Sequence, residues 1–259
     1  MNILIVGDIY SKLGRASFER NLKKIKSEKN INFVIVNGEN TSHGKGINEN
    51  HYKWYMEQGV NVITLGNHSY NNRSIYKTLD EANNIIRPYN LPSGAIGKGY
   101  TIINYNGIKI CVFQLMGQVF MNNDKLLSPF HCADEILEQV KADIYICDFH
   151  GEATSEKIAL GYYLDGRVNV VFGTHTHVPT VDARILKNGT AYITDVGMTG
   201  AIDGVIGTKA SVIVDRFVNK SMYVFEPEDS GKSQFNAIIV NIDEKTFKTK
   251  SIERINLVE

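Results

Sequence analysis

Five short apolar runs constrain this chain more than any other feature, because each is too short for a core helix and each stops at a residue able to bind a metal ion. They are Asn2 to Val6, Phe33 to Val36, Val60 to Leu65, Ile144 to Phe149 and Val168 to Phe172, the last interrupted at Asn169. Runs of this length, rich in Val and Ile, read as buried strands. The first ends in Gly7-Asp8, the second in Asn37-Gly38-Glu39-Asn40 and the third in Gly66-Asn67-His68; the fourth ends in His150 and the fifth in Gly173-Thr174-His175-Thr176-His177. Helical periodicity follows the first four, from Gly14 to about Glu28 with Phe18, Leu22 and Ile25 on one face, then over about 48–58, 73–82 and 155–164. Strands separated by helices pair in parallel, since a parallel neighbour needs a crossover. In open α/β sheets ligands bind beyond the C-terminal strand ends, where the polar residues stand. The pattern predicts an α/β fold with its site along one sheet edge.

Elsewhere antiparallel pairing enters. Tyr100 to Tyr105, Asn106-Gly107 and Ile108 to Leu115 read as a hairpin on an Asn-Gly turn. A loop from Met116 to Phe130 precedes a helix near 133–140, and Arg184 to Leu186 with Ala191 to Thr194 suggest a second hairpin across Lys187-Asn188-Gly189. A helix near 209–217 and strands near Met222 to Phe225, Phe235 to Ile242 and Phe247 to Ile252 complete the chain, the last pair joined across Asp243-Glu244-Lys245. No linker, low-complexity tract or solenoid period divides it, and 259 residues at 43% hydrophobic suit a single domain over 1–259. Lys+Arg and Asp+Glu balance at 28 each, so overall charge points to neither a polyanion groove nor an anionic membrane as the main partner. Cys111, Cys132 and Cys147 are scattered, odd in number and set among apolar residues, which argues for reduced core thiols, against cysteine as a metal ligand, and for a cytoplasmic protein. The N-terminus lacks a basic segment before a long apolar one, and no apolar run reaches membrane-spanning length.

The strand ends collect Asp8, Glu39, Asn40, Asn67, His68, His150, His175 and His177. Imidazole, carboxylate and amide donors together suit Mn, Fe, Zn or Co, and a carboxylate can bridge two such ions. His175 and His177 are two apart, so in an extended segment both rings project to one side, toward one ion or two neighbouring ones. Taken singly, Asp8 and Asn67 read as turn or capping residues and His150 as a core histidine; it is their serial position that points to a metal centre. His43 and Lys45, in a glycine-bearing loop, could touch a substrate phosphate but read better as solvated; His51 and His131 read as surface residues near helix starts, and Trp54, with Tyr55 beside it, as core or interface rather than a base-stacking platform. Asp148, Glu152 and Asp195 are candidates for orienting the imidazoles.

The series Gly7-Asp8, Gly38-Glu39-Asn40, Gly66-Asn67-His68, Phe149-His150 and Gly173 to His177 resembles the calcineurin-like metallophosphoesterase superfamily. The stretches Gly38 to Gly46, Asp148 to Leu160, Gly173 to Val178 and Thr194 to Gly200 resemble its YmdB-type bacterial phosphodiesterases more closely. That resemblance implies a sandwich of two mixed β-sheets flanked by helices, and a dinuclear iron or manganese centre. It also implies hydrolysis of nucleoside 2′,3′-cyclic monophosphates or related phosphodiesters, with an RNA-derived phosphodiester as a further substrate and a homo-oligomer compatible with it. Two positions depart from the superfamily. Its Asp-x-His reads Asp8-Ile9-Tyr10, and its bridging aspartate is Glu39; both changes are shared with the YmdB-type group. The implied roles are Asp8, Asn40 and His177 on the first ion, with Asn40 replacing the missing histidine, Glu39 as bridge, and Asn67, His150 and His175 on the second. His68 is then the general acid after a metal-activated water attacks phosphorus. A phosphomonoesterase or nucleotidase would use the same centre, and an RNA-associated regulatory module with structural metals is the reading from another class.

Overall fold

Alternate residues of the first strand face opposite ways, and that alternation organises the molecule. In β1 (Asn2–Val6), Ile3 and Ile5 join one buried cluster while Leu4 and Val6 join another. Both faces of the strand are therefore covered, as its continuous apolar sequence requires. The computed structural model describes residues 1–222 and 224–259. After β1 come α1 (Ser11–Glu28), β2 (Ile31–Asn37), α2 (Glu49–Glu57), β3 (Val62–Thr64), a 3-10 turn at Arg73–Ile75 running into α3 (Tyr76–Glu81), and β4 (Ile85–Ile86). The second part runs β5 (Tyr100–Tyr105), β6 (Ile108–Met116), α4 (Pro129–Gln139), β7 (Ile144–His150), α5 (Thr154–Tyr163), β8 (Val170–Thr174), β9 (Arg184–Ile185) and β10 (Ala191–Ile193). The chain then returns through β11 (Gly200–Ala201), α6 (Ala210–Asn219), β12 (Ser233–Ile242) and β13 (Thr249–Val258).

Two mixed sheets result, in the order β11-β12-β1-β2-β3-β4, with β13 on β12, and β5-β6-β7-β8-β10-β9. β1 to β4 are parallel neighbours, as are β6, β7, β8 and β10; β12 runs antiparallel to β1. The sheets pack face to face through Ile3, Ile5, Phe33 and Ile35 on one side and Val112, Ile146, Val170 and Phe172 on the other. The outer face of the first sheet is covered by α1 and α2, through Phe18, Leu22 and Tyr55 against Leu4, Val34 and Val36; that of the second is covered by α4 and α5, through Ile136 and Leu160 against Phe113 and Phe149. This is the two-sheet sandwich with flanking helices that the resemblance implies.

Several boundaries differ from the sequence reading for local reasons. α1 begins at Ser11 and runs through Gly14, whose added Cβ would lie 2.4 Å from the carbonyl oxygen of Thr199; the glycine marks close packing rather than a helix start. α4 begins at Pro129, with Ser128 Oγ accepting the backbone N–H of His131, four residues before the apolar pattern becomes visible. β4 is too short to show any periodicity, and β13 continues to Val258 because it pairs along the whole of β12. The strand expected near 222–225 includes Tyr223, which lies outside the described residues; Met222, Val224 and Phe225 belong to no strand and are exposed. No helix among the described residues is long and apolar enough to cross a membrane.

Candidate metal centre

The site does not lie along the edge of a single sheet as the sequence pattern predicts: parallel order places the ends of β1, β2 and β3 side by side in one sheet and those of β7 and β8 in the other, and the residues just beyond them meet because the two sheets pack face to face. They form two groups. The first centres on His150, fully buried at the last position of β7. Its Nε2 lies 3.0 Å from Glu39 Oε1, 2.8 Å from Asn67 Oδ1 and 3.1 Å from His175 Nδ1. The protons on these rings are fixed from behind. Thr174 Oγ1 donates to Asp148 Oδ1 at 2.7 Å, so at 2.9 Å it can only accept from His150 Nδ1, leaving Nε2 with a lone pair. Glu152 Oε2 lies 3.2 Å from His175 Nε2 and holds the proton there, leaving Nδ1 free. With His150 neutral, four acceptor atoms face one another with no donor between them, an arrangement that needs a cation or a further proton.

In the metal-free chain a proton takes that part. Burial pushes the His150 imidazole down, but the carboxylates of Glu39, Asp8 and Asp148 outweigh it and raise its pKa to about 9. Burial likewise pushes Glu39 up, and the charge and hydrogen bond of His150 carry it down to about 2. His175, desolvated and beside His150, falls to about 3. Among the described residues, Glu39, His150 and His175 form a set whose ligand atoms all lie within 4.8 Å of one another.

The second group is Asp8, Asn40 and His177. Asp8 is fully buried; its Oδ2 accepts the backbone N–H of His175 at 3.2 Å, while Oδ1 has no hydrogen-bond partner and lies 3.8 Å from His177 Nε2. Asn40 donates Nδ2–H to the Gly44 carbonyl at 3.0 Å, so its Oδ1 faces the other way, buried and without a partner. His177 donates Nδ1–H to the Ile206 carbonyl at 2.8 Å, which leaves the Nε2 lone pair toward Asp8. Four buried side-chain polar atoms lack a partner among the described residues, and Asp8 Oδ1 and Asn40 Oδ1 are two of them, which marks the site, since buried polar groups are otherwise almost always satisfied. Burial pushes the Asp8 carboxyl up.

Glu39 belongs to the first group through Oε1, and its Oε2 accepts the His68 backbone N–H at 3.1 Å; no hydrogen bond or ion pair joins it to Asp8, Asn40 or His177. His68 is half-buried, its pKa lowered by burial, and its Nε2 lies 3.3 Å from Asn67 Nδ2. Exposed Asn67 therefore turns its oxygen to His150 and its amide N–H to His68. His175 and His177 are not extended. β8 ends at Thr174 and both histidines take positive φ, 98° and 65°, so their rings go to different groups instead of projecting to one side.

Asp148 and Asp195 act one step further from the rings than expected. Asp148 reaches His150 only through Thr174. Asp195 Oδ2 accepts Thr176 N–H and Oγ1–H and lies 2.6 Å from Lys157 Nζ, which also donates to the Thr174 carbonyl at 2.8 Å. This buried ion pair, with Lys157 only 1% exposed, clamps the loop that carries both histidines. Sequence reasoning missed Lys157 and Thr174, and only the strand-end position of Thr174, inside the histidine motif, could have signalled either. Tyr55 is buried, with its hydroxyl 2.7 Å from Thr41 Oγ1, and His43 is exposed. His51 is half-buried, its ring Nδ1 2.8 Å from Ser42 Oγ, and burial holds its pKa down at about 4. A cavity of about 480 Å³ is lined by residues of both groups, among them Glu39, Asn40, His175 and His177, together with His68, Lys45 and the apolar Val178, Ile206 and Phe225. Lys45 Nζ lies 4.5 Å from the centroid of the Phe225 ring.

A family model described as YmdB-like protein matches residues 4–255. A 2′,3′-cyclic-nucleotide 2′-phosphodiesterase of Bacillus subtilis (strain 168) is 44% identical over 257 residues, covering 98% of this chain and 96% of the relative. The crystal structure of a novel phosphatase of Mycoplasma pneumoniae is similar with a TM-score of 0.95 at 37% identity, covering 100% of this chain and 93% of the other. That of a hypothetical protein from Thermus thermophilus has a TM-score of 0.93 at 38% identity, with 100% of both chains covered.

Proposed function

The chain belongs to the YmdB-like protein family, and from that premise we propose that it is a metal-dependent phosphodiesterase hydrolysing nucleoside 2′,3′-cyclic monophosphates or related phosphodiesters. One observation carries the proposal: ligand-type atoms gather in two places, with Glu39 Oε1, Asn67 Oδ1 and His175 Nδ1 around His150 Nε2, where only a cation or an added proton reconciles them, and with Asp8 Oδ1 and Asn40 Oδ1 both buried without a hydrogen-bond partner. Asn67, His150 and His175 would hold one ion and Asp8, Asn40 and His177 the other, with Glu39 supplying the carboxylate they share. Iron or manganese suits these imidazole, carboxylate and amide donors. Such a pair of ions supplies Lewis-acid activation of water and neutralisation of the phosphoryl oxygens.

The chain's own contributions follow from the geometry. Thr174 and Glu152 fix the tautomers of His150 and His175, and the Ile206 carbonyl fixes that of His177, so that lone pairs rather than protons face inward. Lys157 and Asp195 hold the loop between the two histidines. His68 lines the cavity without being one of the converging acceptors, and in this reading it delivers the proton to the leaving oxygen. Val178, Ile206 and Phe225, which line the same cavity as the candidate ligands, offer apolar surface for the organic substituents of a diester, which favours a diester over a simple phosphomonoester. Buried, unpaired Cys111, Cys132 and Cys147 fit a cytoplasmic setting. The test is a hydrolysis screen of manganese- or iron-reconstituted protein against nucleoside 2′,3′-cyclic monophosphates, aryl diesters and nucleotide monoesters. Turnover of the cyclic and diester substrates that is lost on chelation supports the proposal. Faster turnover of monoesters would make the protein a phosphomonoesterase, and turnover of none would leave a binding role.

A further inference from the structure

Tyr10 occupies the position at which the resemblance leads one to expect a metal-binding histidine, and its surroundings give it a different task. The side chain is 6% exposed and lies between two loops. On one side is Gly44, where an added Cβ would come within 2.4 Å of the Tyr10 hydroxyl oxygen; on the other is Gly207, where an added Cβ would come within 2.7 Å of ring atom Cδ1. Both glycines have positive φ, 82° and 94°. The ring therefore fills two notches that only glycine leaves open. Its hydroxyl lies 3.3 Å from Thr208 Oγ1, and its ring packs edge-on against His177 with centroids 5.5 Å apart.

These two loops carry the carbonyls that orient Asn40 and His177. Gly44, in contact with Tyr10, is itself the acceptor for Asn40 Nδ2, and Ile206, the residue before Gly207, is the acceptor for His177 Nδ1. Should the Gly44 carbonyl move away, nothing else would distinguish the two ends of the Asn40 amide, and an N–H could turn inward in place of Oδ1. Should the Ile206 carbonyl move, the His177 proton could sit on Nε2 and block the lone pair. We infer that Tyr10 is a positioning residue for one of the two ions: its ring, wedged between Gly44 and Gly207, holds the two carbonyls that keep Asn40 Oδ1 unpartnered and available and His177 Nε2 toward Asp8. The position taken for a missing ligand is thus a brace for the ligands that remain. This rests on the reading of Asp8, Asn40 and His177 as ligands of one ion.

The test is calorimetric titration of metal-free protein with Mn²⁺, comparing wild type with Tyr10→Phe, Tyr10→Leu and Gly207→Ala. Changes to groups that orient metal ligands typically cost about 10- to 100-fold in affinity. Tyr10→Leu, which removes the wedge, and Gly207→Ala, which fills a notch, should each weaken one of the two binding events by about that factor and change the other less than about threefold. Tyr10→Phe, which keeps the ring, should bind both ions within about threefold of wild type. Phe113→Leu, a cavity in the distant core under α4 and α5, controls for general destabilisation and should leave both events unchanged. Equal weakening of both events in Tyr10→Leu, or none, overturns the inference, and if that variant does not fold, Gly207→Ala decides by the same criterion. Wild type that binds no Mn²⁺ would instead refute the metal centre itself, so the two failures are distinguishable.

Discussion

Replacing Asp8 with asparagine should make the metal-free protein more stable and the metal-loaded protein less stable, so that the order of the two proteins reverses on adding metal. In the metal-free chain Asp8 Oδ1 is fully buried, has no hydrogen-bond partner and lies 3.8 Å from His177 Nε2, which also presents a lone pair. A buried unsatisfied acceptor costs roughly 1–3 kcal/mol, more when charged. In Asp8→Asn the oxygen that accepts from His175 N–H can stay where it is, while the amide –NH₂ takes the place of Oδ1 and points at the His177 lone pair. Relief of about 1–2 kcal/mol follows, and at roughly 2–4 °C per kcal/mol for a chain of this size the melting temperature should rise by about 2–8 °C. Metal changes the sign. Each ion present at one hundred times its dissociation constant adds about 2.7 kcal/mol, so wild type gains about 5 kcal/mol from two sites and the variant, with one site impaired, about half of that. The variant should then be the less stable by about 1 kcal/mol. Scanning calorimetry with chelator and with saturating Mn²⁺ measures both states. A variant less stable than wild type without metal, or one that gains as much from metal as wild type does, would refute the reasoning.

His68→Ala should keep both ions yet lose roughly 10²- to 10⁴-fold in turnover on a nucleoside cyclic phosphate, with a much smaller loss on an aryl diester whose leaving group needs no proton. Equal losses on both substrates with metal content unchanged would show that His68 holds the phosphate instead; loss of metal would make it a ligand. Lys157→Met leaves the Asp195 carboxylate buried without its cation and should cost about 3–5 kcal/mol in chemical denaturation. A loss under about 1 kcal/mol would show that Asp195 finds its hydrogen bonds without the lysine.

The α/β alternation was legible because both strands and crossovers leave periodic marks, whereas the division into two packed sheets came only from the resemblance. β1, β2, β7 and β8 are covered on both faces and so read as continuous apolar runs, and α1 shows Phe18, Leu22 and Ile25 on one face. Candidate ligands were legible for a related reason: parallel strands of one sheet end at the same edge, which groups Asp8, Glu39, Asn40 and Asn67 on one sheet and His150, His175 and His177 on the other, while the meeting of the two edges depends on how the sheets pack. Less legible was everything set by contact between loops. The tautomers of His150 and His177 depend on Thr174 and on the Ile206 carbonyl, and nothing in the sequence near either histidine announces those partners. Lys157 reads as a surface lysine until α5 is laid against β8 and its amine reaches Asp195. The period-2 argument failed at His175 and His177 because it assumes a strand where the chain has already turned into left-handed backbone. Boundaries such as Gly14 failed because glycine has two uses, ending a helix and letting another segment approach, and only packing tells them apart.

The central claim, that Asp8, Glu39, Asn40, Asn67, His150, His175 and His177 together hold two ions that hydrolysis requires, is tested most directly by elemental analysis of active protein with activity measured before and after stripping. Two transition-metal ions per chain are predicted, with phosphodiester hydrolysis lost when they are removed and restored by Mn²⁺ or Fe²⁺. One ion or none in fully active protein, or hydrolysis that survives their removal, would contradict it.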